Sequence, residues 1–211
     1  MSFDVAMARM AQLQALLNPT AAPATPPATT TPTSTTTSPT AFASQLQSAS
    51  GATLTAPVST AGGTSAGQAI VNLVQKEVGV SEQPPGSNDS PRIAQFRQAT
   101  AGSGVGPWCA YFTSWAAREA GVPLGDNGQG FGRVDDVYAW AQKTGKAIPN
   151  TGGNVTPQPG DLIVWDEHIG VVKSVDPNGT INTIEGNSSD KVSERSYPPG
   201  SRPAIGYVRL G

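Results

Sequence analysis

Residues 18–66 of this 211-residue chain are dominated by Ala, Pro, Thr, Ser and Gly, as in the run from Thr29 to Thr37. A segment of this composition cannot bury enough apolar surface to offset the conformational entropy lost on ordering. It therefore predicts a disordered, partly extended linker. This linker leaves residues 67–211 for a folded domain, a length that can form a hydrophobic core of its own.

Residues 1–17, before the linker, carry apolar side chains at three- and four-residue steps and predict a short amphipathic helix that ends at Asn18-Pro19. A helix this short is marginal alone. It could dock on a partner, assemble, act as an export address, or be a frayed terminus. Asp4 and Arg9 interrupt the apolar core that an ordinary secretory signal needs. No stretch approaches the ~20 apolar residues of a membrane span.

Within residues 67–211 the pattern changes from helical to strand-like after Pro159-Gly160. Helices followed by strands indicate the α+β class, with an antiparallel sheet that packs helices on one face. Apolar periodicity and capping residues predict four helices: Gln68–Gly79, a second with Ser90 as N-cap and Pro91 first, Pro107–Ala120 and Val134–Lys143. β-branched segments between turn residues predict five strands: Asp161–Trp165, Ile169–Val175, Thr180–Ile184, Lys191–Ser196 and Ile205–Leu210. The first helix has its apolar pattern at Ile70, Val71, Val74 and Val78, with Gly79 as its C-terminal cap, and the predicted buried residues of the second are Ile93 and Phe96.

Charge and composition exclude several functional classes. The net charge is −2 and the pI about 5.3, which argues against a nucleic-acid-binding surface. The single cysteine cannot form an internal disulfide and leaves the redox compartment open. With one cysteine and one histidine, a zinc hydrolase would have to rely on carboxylate ligands, and we predict no metal and no cofactor.

Cys109 follows Gly106-Pro107-Trp108 at the predicted start of the third helix. In a first helical turn the backbone N–H groups are unpaired and the helix dipole is positive, so both favour a thiolate. The same N–H groups could hold the oxyanion of a tetrahedral intermediate. The alternative is structural, because a free cysteine often acts as a small buried hydrophobe.

His168 opens a predicted strand that a turn signal at Asp176–Gly179 joins to the next strand. If Val175 faces Thr180, His168 lies opposite Asn187 with Glu185 at the adjacent diagonal position. A tight two-residue turn would shift the pairing by two residues and preserve the face. Glu185 or Asn187 could then accept from one ring nitrogen of His168, and the other nitrogen would face the thiol. Asp166 and Glu167 are interpreted as solvated loop charges, and a lone surface histidine is the alternative interpretation of His168.

These residues resemble the cysteine, histidine-dependent amidohydrolase/peptidase family, called CHAP, over roughly residues 68–210. The matching segments are Trp108-Cys109-Ala110-Tyr111-Phe112, Pro159-Gly160-Asp161, His168-Ile169-Gly170-Val171-Val172 and Glu185-Gly186-Asn187-Ser188-Ser189-Asp190. The resemblance implies a papain-like α+β fold and hydrolysis of amide bonds in peptidoglycan. It implies that Cys109 is the nucleophile and His168 the base, that Glu185 orients the histidine, and that Asn187 assists.

Some members of that family bind calcium near the cysteine. Here only Asn88-Asp89 and Asp126-Asn127 could contribute, without the ligand spacing of a calcium loop. Residues that could contact substrate in a groove are Trp108, Tyr111, Trp165, Asn88 and Asp89, although packing or helix capping is the competing interpretation for several of them.

The implied location is the cell wall, the periplasm or the extracellular space. Residues 1–66 loosely resemble leaders of wall hydrolases encoded among flagellar genes, which would make a secretion or flagellar apparatus a partner of residues 1–17. The alternatives are a cysteine amidase or peptidase on another substrate, a catalytically inactive wall-binding module, and a phage lysin. The sequence does not decide whether an amidase or an endopeptidase bond is cut.

Overall fold

The computed structural model describes residues 62–211, so the predicted helix 1–17 and most of the predicted linker lie outside the described residues. Four helices come first: α1 (Ser65–Gln75), α2 (Pro91–Arg97), α3 (Cys109–Glu119) and α4 (Val134–Lys143). Six strands follow: β1 (Ala147–Pro149), β2 (Leu162–Val164), β3 (Ile169–Val175), β4 (Ile181–Glu185), β5 (Ser193–Tyr197) and β6 (Gly206–Val208). A short 3-10 helix, Thr151–Gly153, lies between β1 and β2. The predicted α+β class is confirmed.

The six strands form one sheet in the order β1-β6-β2-β3-β4-β5, and all neighbouring strands are antiparallel. Helices α1 and α3 pack against β3. Side chains alternate between the two faces along β2: Leu162 and Val164 join the main helix-facing core, and Ile163 joins a smaller cluster on the opposite face. That second cluster includes Trp165 and Tyr207, so both faces of the central strands are covered.

Local sequence signals correctly predicted the start of α2 and both ends of α4. The Ser90 hydroxyl accepts a hydrogen bond from the Ile93 N–H at 3.3 Å, and Pro91 is the first helical residue. Ile93 and Phe96 are fully buried, as predicted. Helix α4 has the predicted bounds, Val134–Lys143.

Helix α1 differs from its prediction at both ends. It begins at Ser65 rather than Gln68, because the Thr64 hydroxyl accepts from the Gly67 N–H at 2.9 Å and caps the helix inside the predicted linker. It ends at Gln75, and Gly79 adopts its left-handed φ of 95° in the turn that follows. The predicted helical pattern included Val78, but the helix has ended before this residue and its side chain is 40% exposed.

The sequence does not predict β1. This strand has three residues, includes Pro149, and pairs only with β6 at the edge of the sheet. Proline is compatible with an edge strand but gives no strand signal by itself. The ends of the other five strands lie within about two residues of their predicted bounds. Among residues 62–211, no helix combines the length and apolarity that crossing a membrane requires.

Candidate active site

Cys109 is the first residue of α3 and is buried, with 5% of its surface exposed. The helix begins two residues later than predicted: Trp108 is the N-cap, and Pro107 precedes it. Cys109 nevertheless lies in the first turn, as predicted, where helix geometry leaves its backbone N–H without an intrahelical acceptor. The helix dipole and this free donor both favour negative charge beside the Cys109 N–H.

His168 stands immediately before β3, and its Nε2 lies 2.8 Å from the Glu185 carboxylate oxygen Oε2. Glu185 is the last residue of β4 and is completely buried. Its second oxygen, Oε1, accepts from the Thr183 hydroxyl at 2.6 Å and from the Tyr197 hydroxyl at 2.9 Å. Of the two orienting residues that the sequence left open, Glu185 is therefore the one hydrogen-bonded to His168.

The register of β3 against β4 differs from the predicted register near the turn and matches it at the site. Val175 pairs with Ile181 rather than Thr180, and a bulge at Lys173 then shifts the ladder by one residue, so that Val171 pairs with Ile184. Continuing the second register places Glu185 opposite Gly170, on the same face as His168.

Gly170 supplies the space for this carboxylate. A Cβ at that position would lie 2.7 Å from the Glu185 Cγ, far inside van der Waals contact. Gly186 is similarly constrained, because a Cβ there would lie 2.7 Å from the Cβ of Phe112 and 2.9 Å from the ring of Trp108. The two glycines therefore allow close approach at the site: Gly170 of β3 to Glu185, and Gly186 of the segment after β4 to the start of α3.

Burial by itself lowers the pKa of His168, but hydrogen bonds and charge interactions with Cys109 and Glu185 outweigh that effect and raise the pKa to about 9. Burial likewise raises the pKa of Glu185, whereas hydrogen bonds from His168, Thr183 and Tyr197 lower it below its usual value overall. At neutral pH the pair is thus an imidazolium and a carboxylate next to the only thiol of the chain. The ring is also hydrogen-bonded to the Cys109 side chain.

Asn187 does not take the predicted place beside His168. It lies beyond the end of β4 in a left-handed conformation, with φ at 57°, so the strand alternation used to place it no longer applies. In the amide orientation that matches its neighbours, its nitrogen donates to the Glu82 Oε1 at 3.3 Å and its oxygen accepts from the Trp108 N–H at 3.3 Å. The Asn187 amide therefore contacts the residue that precedes Cys109.

The aromatic residues predicted to wall a groove are buried. Trp108 is fully buried and packs against Phe96 and Phe112, with ring centroids 6.1 and 6.4 Å away. Tyr111 is 8% exposed and donates its hydroxyl to the Gly104 carbonyl. The structure thus gives both residues core positions because every residue of α3 from Cys109 to Ala117 is buried. Their contact with substrate stays a prediction.

Trp165 is also buried, but it contacts the site directly. Its ring stacks on the imidazole of His168 with centroids 5.7 Å apart. The Arg202 guanidinium lies 4.3 Å from the centroid of the Trp165 ring and donates to the Tyr197 hydroxyl at 3.2 Å. Trp165 and Tyr197 therefore form a layer behind His168 and Glu185 that Arg202 covers from the solvent side. No sequence pattern indicates Tyr197 or Arg202 as part of the site.

Asn88 and Asp89 lie in the segment before α2, and neither is hydrogen-bonded to His168 or Glu185. The Asn88 backbone N–H donates to the Glu82 carboxylate at 2.8 Å. The Asp89 carboxylate accepts from Arg97 at 2.6 Å and from the Ser90 N–H at 3.0 Å, and the Arg97 hydrogen bond holds its pKa below the usual value. The predicted substrate contact of Asp89 thus competes with an ion pair.

Possible calcium ligands are also engaged elsewhere. Asp126 accepts from the Trp140 indole at 3.1 Å and from Lys143 at 3.0 Å. Over residues 62–211, no three His, Cys, Asp or Glu side chains are grouped closely enough to hold one metal ion. Asp166 and Glu167 are both exposed, as expected of solvated loop charges.

Part of this chain matches the model of a known protein family. Residues 100–187 match the family model of the CHAP domain, which confirms the resemblance inferred from the motifs. No curated protein sequence matches the chain. Among solved structures, the 2.15 Å crystal structure of N-acetylmuramoyl-L-alanine amidase from Staphylococcus aureus aligns with 16% identity and a TM-score of 0.41. That alignment covers 54% of this chain and 34% of the amidase chain, so this chain spans about a third of its length.

Proposed function

Because residues 100–187 match the family model of the CHAP domain, we propose that this protein is a peptidoglycan hydrolase that cleaves an amide bond of the wall peptide with Cys109 as nucleophile. The observation that carries the proposal is the 2.8 Å hydrogen bond between His168 and the buried Glu185, which fixes a charged imidazole next to the thiol. A base oriented by a third group is the arrangement that nucleophilic catalysis requires.

In the proposed reaction the Cys109 thiolate attacks the amide carbonyl carbon and forms a tetrahedral intermediate. The Cys109 N–H, free at the start of α3, donates to the oxyanion. The imidazolium of His168 then gives its proton to the leaving amine, the C–N bond breaks, and a thioester remains on Cys109. The neutral imidazole next removes a proton from water, which attacks the thioester and releases the carboxylic acid and the thiol.

Glu185 orients the His168 ring throughout this reaction. Its carboxylate stays ionised because three donors lower its pKa, so it stabilises the imidazolium before attack and fixes the ring orientation when His168 is neutral. Trp165 covers one face of the imidazole and limits the access of water to the His168–Glu185 hydrogen bond.

Digestion of purified cell walls with the wild-type protein and with Cys109→Ala tests the proposal. We expect the wild type to release soluble fragments, with a new amine and a new carboxylate for each bond cut, and Cys109→Ala to be slower by at least about 10³-fold. Because Cys109 is the only cysteine, a thiol reagent can be assigned to it without ambiguity. Fragments released by Cys109→Ala at the wild-type rate would contradict the mechanism.

Mass spectrometry of the same fragments distinguishes the finer alternatives. A fragment that separates the glycan from the whole peptide identifies an amidase, and a cut within the peptide identifies an endopeptidase. We propose action at the cell wall, outside the cytoplasm. The predicted roles of residues 1–17 in export or flagellar assembly lie outside the described residues and stay predictions. Hydrolysis of a non-wall amide without wall cleavage would favour the alternative substrate class.

A further inference from the structure

Glu82 is a buried carboxylate that the proposed reaction does not use. Only 3% of its surface is exposed, and it lies in the segment between α1 and α2, outside the residues that match the family model. Among the ion pairs of residues 62–211, none includes Glu82. A buried carboxylate without a cation needs other compensation, which neutral hydrogen-bond donors must supply.

Three donors from three separate segments converge on its two oxygens. Oε1 accepts from the Trp108 indole N–H at 2.9 Å and from the Asn187 amide at 3.3 Å, and Oε2 accepts from the Asn88 N–H at 2.8 Å. The backbone N–H of Glu82 also donates to the Asp190 carbonyl at 2.9 Å. Glu82 thus connects its own segment with the start of α3 and with the segment after β4.

The contact with Asn187 determines which way that amide points. Because the Glu82 carboxylate can only accept hydrogen bonds, the amide nitrogen of Asn187 must face it. The amide oxygen of Asn187 then faces the Trp108 N–H at 3.3 Å. Trp108 is the residue before Cys109, whose own N–H donates to the oxyanion in the proposed reaction. The chain of contacts from Glu82 through Asn187 therefore ends at the backbone next to the nucleophile.

We infer that Glu82 is a positioning residue, which fixes the Asn187 amide and through it the Trp108–Cys109 backbone in the geometry that hydrolysis needs. This inference rests on the proposed function. Glutamine cannot replace the carboxylate, because it has one acceptor oxygen for donors that approach both ends of the group. A glutamine at this position would place its amide nitrogen, a donor, at one of the two ends. There it would face other donors: the Trp108 indole N–H and the Asn187 amide at one end, or the Asn88 N–H at the other. Either way a buried donor is left unpaired.

The test compares Glu82→Gln with Asp161→Asn, a matched change at a buried carboxylate that is 3% exposed and bound by Arg209 and the Gln158 N–H. On soluble wall fragments, and per folded molecule, we expect Glu82→Gln to lower kcat by about 10- to 100-fold with KM within about twofold, because a misplaced donor acts on the reaction and not on binding. Asp161→Asn should lower Tm while kcat stays within about twofold. Equal kcat in Glu82→Gln and wild type would overturn the inference.

A double variant tests whether Glu82 acts through Asn187. If it does, Glu82→Gln/Asn187→Ala loses no more activity than Asn187→Ala alone. If the two losses multiply, Glu82 supports the site by a separate route and the inference is wrong.

A last measurement needs no hydrolysis and so separates this inference from the proposed function. Loosening the Trp108–Cys109 backbone should expose the buried thiol, so we expect iodoacetamide to alkylate Cys109 at least about threefold faster in Glu82→Gln than in wild type or Asp161→Asn. A wild type that cuts no wall amide contradicts the proposed function alone. Identical alkylation rates in all three proteins would contradict the role of Glu82, whatever the substrate.

Discussion

The helical and strand halves of this domain each supply part of the candidate site, and they place it by different means. In the helical half, residues 65–143, local signals put Cys109 at the start of α3, and a two-residue error in the predicted helix start leaves it in the first turn. In the strand half, residues 147–208, pairing register puts His168 beside Glu185, and a one-residue change would move a side chain to the other face. The position of Cys109 in a first helical turn therefore tolerates a small shift of the helix start, whereas the position of Glu185 beside His168 does not tolerate a one-residue shift of register.

In the β3–β4 hairpin, a register shift of one residue separates the observed arrangement from one in which Glu185 and His168 lie on opposite faces. Near the turn, Val175 pairs with Ile181, and continuing that register would place Glu185 opposite Val171, on the face away from His168. The extra residue at Lys173 shifts the ladder once and restores the shared face. The experiments below test the strand half, first at its charge pair and then at its register.

The largest effect is expected for Glu185→Gln. Glutamine keeps the size of the side chain but loses the negative charge, so we expect kcat to fall by about 100-fold in assays on purified wall fragments. Glu167→Gln is the matched control, because this carboxylate is exposed and adjacent to His168 in sequence. If the two variants hydrolyse equally fast, Glu185 does not orient the base.

The pH dependence of activity reports the same pair. The wild type needs a protonated His168, whose pKa is raised to about 9, so its activity should fall as the pH rises through 9. Removing the Glu185 charge lowers that pKa, and the alkaline limb in Glu185→Gln should move to lower pH. The raised pKa of His168 also stabilises the folded state: its contribution is complete below the ordinary histidine pKa of 6.5, wherever Glu185 is ionised, and is lost as the pH rises through 9. An alkaline limb that does not move would contradict the pairing.

A smaller effect is expected for Tyr197→Phe, which removes one donor from the Glu185 Oε1 and leaves those of Thr183 and His168. A hydrogen bond to a charged group contributes about 1.5–3 kcal/mol. The Thr183 hydroxyl still donates to the same oxygen and offsets part of this loss, so we expect kcat to fall by about three- to tenfold. Tyr138→Phe, a half-buried tyrosine packed near Gly206, is the control. A loss as large as that of Glu185→Gln would show that the Tyr197 hydroxyl has a larger role than support.

The smallest effect is expected for deletion of Lys173. Without this residue the ladder runs continuously from Val172–Thr183 to Ser174–Asn182, and the pairing on the site side of the bulge is unchanged. The deletion also removes the surface ion pair of Lys173 with Glu194, which contributes only about 0–1 kcal/mol. We expect kcat within about twofold of wild type. A loss of kcat comparable to that of Glu185→Gln would mean that the local geometry of the bulge, and not only the register it sets, determines the geometry of the site.

The sequence predicted the α+β class, α4, both ends of β3, and the proximity of His168 to Glu185. These features depend on signals within a few residues, such as the Ser90-Pro91 cap or β-branched alternation, and on the parity of a single hairpin. It did not predict β1, which forms because β6 offers a free edge, or the network around Glu82, whose partners Trp108 and Asn187 are distant in sequence. No local pattern around Glu82 distinguishes it from an exposed loop carboxylate.

The amino-acid sequence alone was enough to single out Cys109 and His168 as candidate reactive side chains and to place Cys109 in a first helical turn, because helix starts obey local rules. The packing of the folded chain was needed to show that Glu185 rather than Asn187 contacts His168, that Trp108 and Tyr111 are core residues, and that a bulge at Lys173 corrects the register. Those outcomes depend on how separate segments meet. Each segment tolerates several arrangements, and close packing at Gly170, Gly186 and the buried carboxylates selects one of them.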